Sequence, residues 1–205
     1  MALQNRQAFY ASVESAELFG RALCTSQSDG LSTLVEAMRG QPLAFASYDL
    51  ATAFHETSRT MQPVRERGSS AYLERYDTGK LAHDLGNTPE KDGDGARYAG
   101  RGYVQLTGHA NYERIGKLLG MDLISNPDAA LVPATAALIL MRGMADGWFT
   151  GKRLSDYLPV ARPGWLAEFV QARRVVNGTD CANQIAGYAV AFQSALVDGG
   201  WLERS

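Results

Sequence analysis

What most constrains this chain is a break in its periodicity. Apolar residues recur at helical spacing through most of its 205 residues, but the pattern stops between residues 57 and 103. Residues 3–19, 28–39 and 42–56 read as helices. Gly20 and Gly40 close the first two, and Pro42 suits the first turn of the third. Helices resume at 109–119, closed by Gly120, and at 133–146, opened by Pro133. Two more follow, at 164–176 before Asn177-Gly178 and at 180–197 before Gly199-Gly200. The intervening segment is rich in Gly, Asp, Arg, Ser and Tyr. Within it "DTGKLAHDLGN" is a candidate short helix and "KDGDGARYAGRG" a glycine-dense loop. "GYVQLT", 102–107, is the one good strand candidate. A loop this long in a compact domain is usually functional. The expected fold is all-α, a single domain over 1–205 with a small β-hairpin and a long polar loop set against a helical scaffold.

Composition removes several function classes. Apolar residues make up 45% and charged residues 20%, ordinary for a globular protein with one sizeable core. A net charge of −2 does not supply the basic surface that phosphate contacts need, so no nucleic-acid partner is expected. "RRV" at 173–175 is a local basic seed at most. No run approaches the roughly 18 apolar residues of a membrane span; the closest, "ATAALILM", ends at Arg142. The N-terminus lacks a basic stretch followed by an apolar one, so no signal peptide is expected and synthesis is placed in the cytoplasm. Cys24 and Cys181 make no disulfide framework and read as free, partly buried thiols.

Metal and nucleotide motifs fail on spacing. A helical H-E-x-x-H from His55 needs a second histidine at 59, where Arg59 stands. His55, His83 and His109 have no paired spacing, so no metal is expected. An EF-hand starting at Asp92 needs Gly at 97 and Glu at 103, where Arg97 and Tyr103 stand. The glycines of 93–102 do not follow a strand and open a long helix, as a dinucleotide or P-loop fold requires, and there is no G-x-S-x-G elbow.

Carboxylates remain. In 42–56, Leu43, Ala46, Leu50, Ala53, Phe54 and Thr57 form one stripe, and Glu56 lies about 110° from its centre, beside the core. A carboxyl group at the end of an apolar helix, near the negative end of the helix dipole, suits a general acid that must hold its proton. A base should come from another element; Glu66 and Glu74 are the candidates. Arg65 and Arg67 flank Glu66, which makes it the favoured one, with Glu74 the alternative. Taken singly, each of these glutamates is more often a solvated surface charge.

The motif "YAGRGYVQLTGHANY", 98–112, resembles the signature of glycoside hydrolase family 19, which holds plant-type chitinases and many phage endolysins. "ATAFHET" is similar to that family's acid-bearing helix, and "ARRVVNGTD", 172–180, to its late Arg-Ile-Ile-Asn-Gly helix. "MQPVRE" and the GDG loop resemble the endolysin branch more than the plant enzymes. The resemblance implies a lysozyme-like helical domain whose hairpin lines the substrate cleft. It implies Glu56 as general acid and Thr107 as holder of the attacking water. Gln105 and Asn111 would bond the sugar, Tyr98 and Tyr103 would offer it faces or hydroxyls, and Arg174 and Asn177 would close the far side and order the carboxylates. Plant-type members carry the second glutamate about two dozen residues after the acid; here Glu66 is ten on and Glu74 eighteen on.

Structural roles compete for several of these. Gln105 and Asn111 can satisfy hairpin backbone, Arg174 can be an ion-pair partner, and Tyr98 and Tyr103 can be core, while Trp148, Trp165 and Trp201 are expected to be core or helix-packing residues. The function implied is a peptidoglycan-degrading endolysin, hydrolysing β-1,4 bonds between amino sugars with inversion, without cofactor, as a monomer, released to the wall by a holin. A chitinase, a lytic transglycosylase and an inactive glycan-binding module are the alternatives.

Overall fold

The computed structural model describes residues 2–20 and 22–201 of the chain. The chain divides into two compact units, Met1–Gln62 with Leu140–Ser205, and Pro63–Ile139.

The first unit is helical. Helices α1 (Arg6–Ser15), α2 (Thr25–Ala37) and α3 (Leu43–Glu56) precede the break. The start of α1 is set by Asn5, whose side chain accepts from the Ala8 N–H at 3.0 Å, three residues later than the sequence suggests. α3 is the centre. Every residue from Leu43 to Phe54 is buried, so it is not the one-faced helix its spacing suggests but one surrounded on all sides. Ala44, Ala46, Ala51 and Ala53 make that possible, because small side chains let neighbouring helices approach closely. Phe54 meets Phe19, Tyr188 and Phe192 edge-on, with centroids 4.7–5.8 Å apart.

The first unit is completed after the break by one short helix and one long one. Pro63–Ile139 holds only short elements until its last third. These are β1 (Val64–Arg65), α4 (Ser70–Leu73), a 3-10 turn (Glu74–Tyr76), α5 (Gly79–Leu85), α6 (Asp94–Arg97) and β2 (Arg101–Gly102). Then come α7 (His109–Leu119), with its expected bounds, and α8 (Pro133–Asp146), which contributes to both units. In the first unit α9 (Leu166–Ala172) runs into a 3-10 turn (Arg173–Val175), and α10 (Ala182–Asp198) packs on α1, α3 and α9.

The polar stretch is therefore not a bare loop. Its turns are tied by side chains. Buried Asn87 donates to the Tyr76 carbonyl at 2.9 Å and accepts the His109 N–H at 2.8 Å. Buried Asp77 accepts from the Gly95 N–H.

The expected hairpin also takes another form. β1 and β2 pair antiparallel, Val64 with Gly102 and Arg65 with Arg101, across a long sequence separation. "GYVQLT" is not a strand: only Gly102 belongs to one, and the chain turns at once so that Arg101 and Leu106 exchange bonds of 3.1 and 2.9 Å. Gln105 takes φ of +53° in that turn. Buried Arg101 fixes it, bonding the Ala99 carbonyl, the Tyr112 hydroxyl and Asp128 at 2.8–3.0 Å.

Two smaller expectations also change. Cys24 and Cys181 are free but exposed. Trp165 is 65% exposed rather than core, with the Arg162 guanidinium 4.2 Å above its ring.

Candidate active site

Glu66 extends β1 by one residue. Its N–H donates to the Gly100 carbonyl at 2.8 Å, and the Gly100 N–H returns a bond to Oε2 at 2.9 Å. The Tyr76 hydroxyl donates to Oε1 at 2.8 Å. Both carboxylate oxygens are thus fixed, one by backbone and one by a phenol. The expected arginines take no part: Arg65 pairs with Asp128, and it is N–H and O–H donors that meet Glu66.

Gly100 is the pivot of this arrangement. A Cβ there would lie 2.8 Å from Gln105 Oε1, 3.1 Å from Glu66 Oε2 and 3.2 Å from Thr107 Oγ1. Three oxygens from expected site residues therefore gather against one α-carbon, and only glycine leaves them room. Gln105 is half-buried; its amide nitrogen faces the Val64 and Gly102 carbonyls at 3.1 and 3.3 Å. Thr107 donates to the Gln105 carbonyl at 2.8 Å, and Asn111 donates to the Thr107 carbonyl at 2.8 Å. Asn111 thus holds the backbone that carries Thr107.

The other expected residues of this unit lie elsewhere. Tyr98 is 3% exposed and packs on His109 and Tyr112, and Tyr103 is fully buried. Both are core rings, so neither offers a face to a glycan. Burial pushes the Tyr103 phenol up to about 12. Glu74 is half-exposed and pairs with Lys91 at 3.3 Å, a surface contact on an element that Glu66 does not share.

Glu56 has a different kind of support. It ends α3 where burial stops, and its Oε1 meets Arg173 Nη1 at 2.7 Å. The arginine side chain is 3% exposed and the glutamate's 22%. Arg173 also donates from Nε to the Asp180 carbonyl at 3.0 Å. The partly apolar setting expected for Glu56 thus also holds an ion pair. The partner is a correction too. Arg174 turns to Gln171 on its own helix, and Arg173 does the ordering expected of Arg174. In the 3-10 turn successive residues point about 120° apart, and it is Arg173 that faces inward. Asn177 is exposed and accepts the Gly178 N–H in a local turn at 2.9 Å.

The chain leaving Glu56 is bent and held. Thr57 is buried; its hydroxyl donates to the Ala53 carbonyl and accepts the Met61 N–H at 2.7 and 3.1 Å. Ser58, Arg59 and Met61 all have positive φ, 50°, 69° and 55°. Residues in that region cost free energy and persist only where their surroundings fix them. α2 does so: Gln27 donates to the Arg59 carbonyl at 3.0 Å, and a Cβ on Gly30 would sit 1.8 Å from the Met61 carbonyl oxygen.

About two turns before Glu56 on α3, Tyr48 and Asp49 are fully buried. Burial pushes the Tyr48 phenol well up, with Arg173 and Glu56 close enough to act on it. Burial likewise pushes the Asp49 carboxyl well above the usual range, against the smaller opposing pull of the Gln41 side chain.

Sequence reasoning missed Tyr76, Asn87, Asp49 and Arg173. Tyr76 carried a signal in its spacing of four from Tyr72 in "AYLERY", and Arg173 in the "RRV" run beside Arg174. Among the described residues no cluster of three or more His, Cys, Asp or Glu could hold a metal.

Comparison with known proteins gives a consistent picture. The chitinase class I family, glycoside hydrolase family 19, matches residues 47–194. An endochitinase from Arabidopsis thaliana is 31% identical over 140 residues, 67% of this chain and 44% of that protein. A glycosyl hydrolase family 19 domain-containing protein from Haemophilus influenzae is 52% identical over 42 residues, 20% of this chain and 21% of that one. The matched stretch thus spans less than half the length of these relatives. Chitinase C from Streptomyces griseus shares the fold, with a TM-score of 0.52 at 22% identity over 100% of this chain and 91% of that one.

Proposed function

Since the chain belongs to glycoside hydrolase family 19, the chitinase class I family, we propose that it hydrolyses β-1,4 bonds between amino sugars, with Glu56 as general acid and Glu66 as general base. The observation that carries this reading is the setting of Glu66. A carboxylate accepts at about four lone-pair sites. Tyr76 and Gly100 take one on each oxygen, which fixes the plane and leaves sites for water. Thr107 Oγ1 lies in the same group of oxygens and is suited to hold that water.

The roles then follow. Arg173 binds Glu56 through Oε1, so the proton to be given is carried on Oε2. It passes to the glycosidic oxygen as the C1–O bond breaks. Water attacks C1 from the opposite face and loses a proton to Glu66, which inverts the anomeric centre. Glu66 then releases its proton and Glu56 regains one from solvent. A lytic transglycosylase needs no such base, and the built setting of Glu66 favours hydrolysis over it.

Peptidoglycan is the substrate proposed, with the protein acting as a monomeric endolysin that reaches the wall after release. "MQPVRE" and the GDG loop support that choice. Chitin is the second reading, favoured by the endochitinase relatives. The test is initial rates on purified peptidoglycan and on chitin, side by side, for the wild type and Glu56→Gln. The expected result is faster cleavage of peptidoglycan and loss of both activities in the variant. Faster cleavage of chitin reverses the substrate. An anhydro sugar in the mass spectrum contradicts hydrolysis, equal rates in both proteins contradict the acid, and binding without cleavage by the wild type marks an inactive module.

A further inference from the structure

The support of Glu66 includes one group that the reaction itself does not explain, the hydroxyl of Tyr76. Glu66's backbone is fixed through Gly100, and so is Oε2. One donor fixes a point of the carboxylate but leaves it free to swing about that point. A second donor on the other oxygen fixes its plane, and Tyr76 supplies it at 2.8 Å.

Tyr76 is itself held for this task. It ends a 3-10 turn, and buried Asn87 binds its carbonyl at 2.9 Å. Its ring meets that of Tyr72 edge-on, with centroids 6.0 Å apart and planes at 81°. The two hydroxyls lie 3.4 Å from each other. Tyr72 in turn has the Arg75 guanidinium 5.1 Å over its ring and Gly68 against its edge, where a Cβ would come within 2.4 Å of Cδ1. A glycine, an arginine and an asparagine thus fix two rings whose outcome is one O–H aimed at one carboxylate oxygen. Burial, then the Tyr72 and Glu66 contacts, push the Tyr76 phenol well up, so it remains a neutral donor wherever the enzyme works.

We propose that Tyr76 is a positioning residue of the hydrolytic reaction, setting the plane of Glu66 through its hydroxyl, with Tyr72 holding Tyr76 in place. This rests on the reading of Glu66 as the base. Tyr76 moves no proton to or from the substrate; it acts only through the carboxylate. A base displaced by a fraction of an ångström meets its water less often in a productive geometry, which costs turnover rather than affinity.

The test is a four-protein cycle on the cleaved glycan: wild type, Tyr76→Phe, Glu66→Gln and the double variant. Phenylalanine keeps the ring packed on Tyr72 and removes only the donor. Tyr76→Phe is expected to lower kcat roughly 10- to 100-fold with KM within about threefold, at an unchanged melting temperature. In the Glu66→Gln background the same substitution is expected to change nothing further, because its target is gone. Tyr72→Phe is expected to show a smaller kcat loss. Wild-type turnover in Tyr76→Phe beside an inactive Glu66→Gln overturns the positioning role and leaves the base assignment standing. Full turnover in Glu66→Gln overturns the base assignment and the inference with it. A kcat loss of the same size in both backgrounds shows that Tyr76 does not act through Glu66 and also overturns the inference.

Discussion

The two glutamates are held in opposite ways. Glu56 ends a helix buried on all sides, and a single ion pair with Arg173 turns its carboxyl. Glu66 sits in a stretch of short turns, and backbone and phenol donors grip both its oxygens. In the first unit packing places the group and one charge orients it. Around Glu66, hydrogen bonds do both, because the elements between residues 64 and 102 are too short to bury a face of their own. Helix packing tolerates little change in volume, whereas a hydrogen-bonded loop tolerates little change in donor geometry. The two sites should therefore fail differently.

The largest effect on stability is expected at Arg173. Arg173→Ala leaves Glu56 without its cation and the Asp180 carbonyl without its donor, and should cost about 3–5 kcal/mol in urea unfolding. Arg174→Ala should stay within about 0.5 kcal/mol, since its side chain meets only Gln171. Similar costs for the two arginines would erase the distinction between them. Gly30→Ala comes next. Its Cβ would collide with the Met61 backbone, so the turn at 58–61 must shift, with a loss of about 1–3 kcal/mol. A neutral result would mean that α2 does not hold the chain leaving Glu56.

A smaller effect should appear in the pH dependence of the first unit. The Asp49 carboxyl is raised in the folded state, so the folded chain keeps a proton that the unfolded chain releases above about pH 3.9. Its contribution is fully present below that pH and is lost as pH rises toward the folded value. Asp49→Asn should therefore flatten the stability curve between pH 5 and 8 and lie above wild type at the upper end. Parallel curves for the two proteins would contradict this.

The same contrast explains what the sequence revealed. Residues 109–119 and 133–146 were legible as helices because a long period and a Gly or Pro boundary are local signals. Glu56 was legible as a helix end for the same reason. That α3 is buried all round was not, because its neighbours come from far along the chain. The "RR" pair could not say which arginine faces inward. "GYVQLT" read as a strand because its residue types suit one, yet the Arg101 bonds to Leu106 turn it back at once. Tyr98 and Tyr103 stand in the family-like signature and are core, since a motif fixes residue types and not which way they face. Glu66 was visible only as a charge; its partners Tyr76 and Gly100 lie ten and thirty-four residues away and are joined by bonds no local pattern announces.

The most direct measurement is the initial rate of glycan cleavage by Glu66→Gln set against Glu74→Gln. The account predicts a loss of about 10²- to 10⁴-fold in the first, the usual worth of a general base, and wild-type turnover in the second, whose carboxylate meets only Lys91 at the surface. Full activity in Glu66→Gln together with an inactive Glu74→Gln would contradict it.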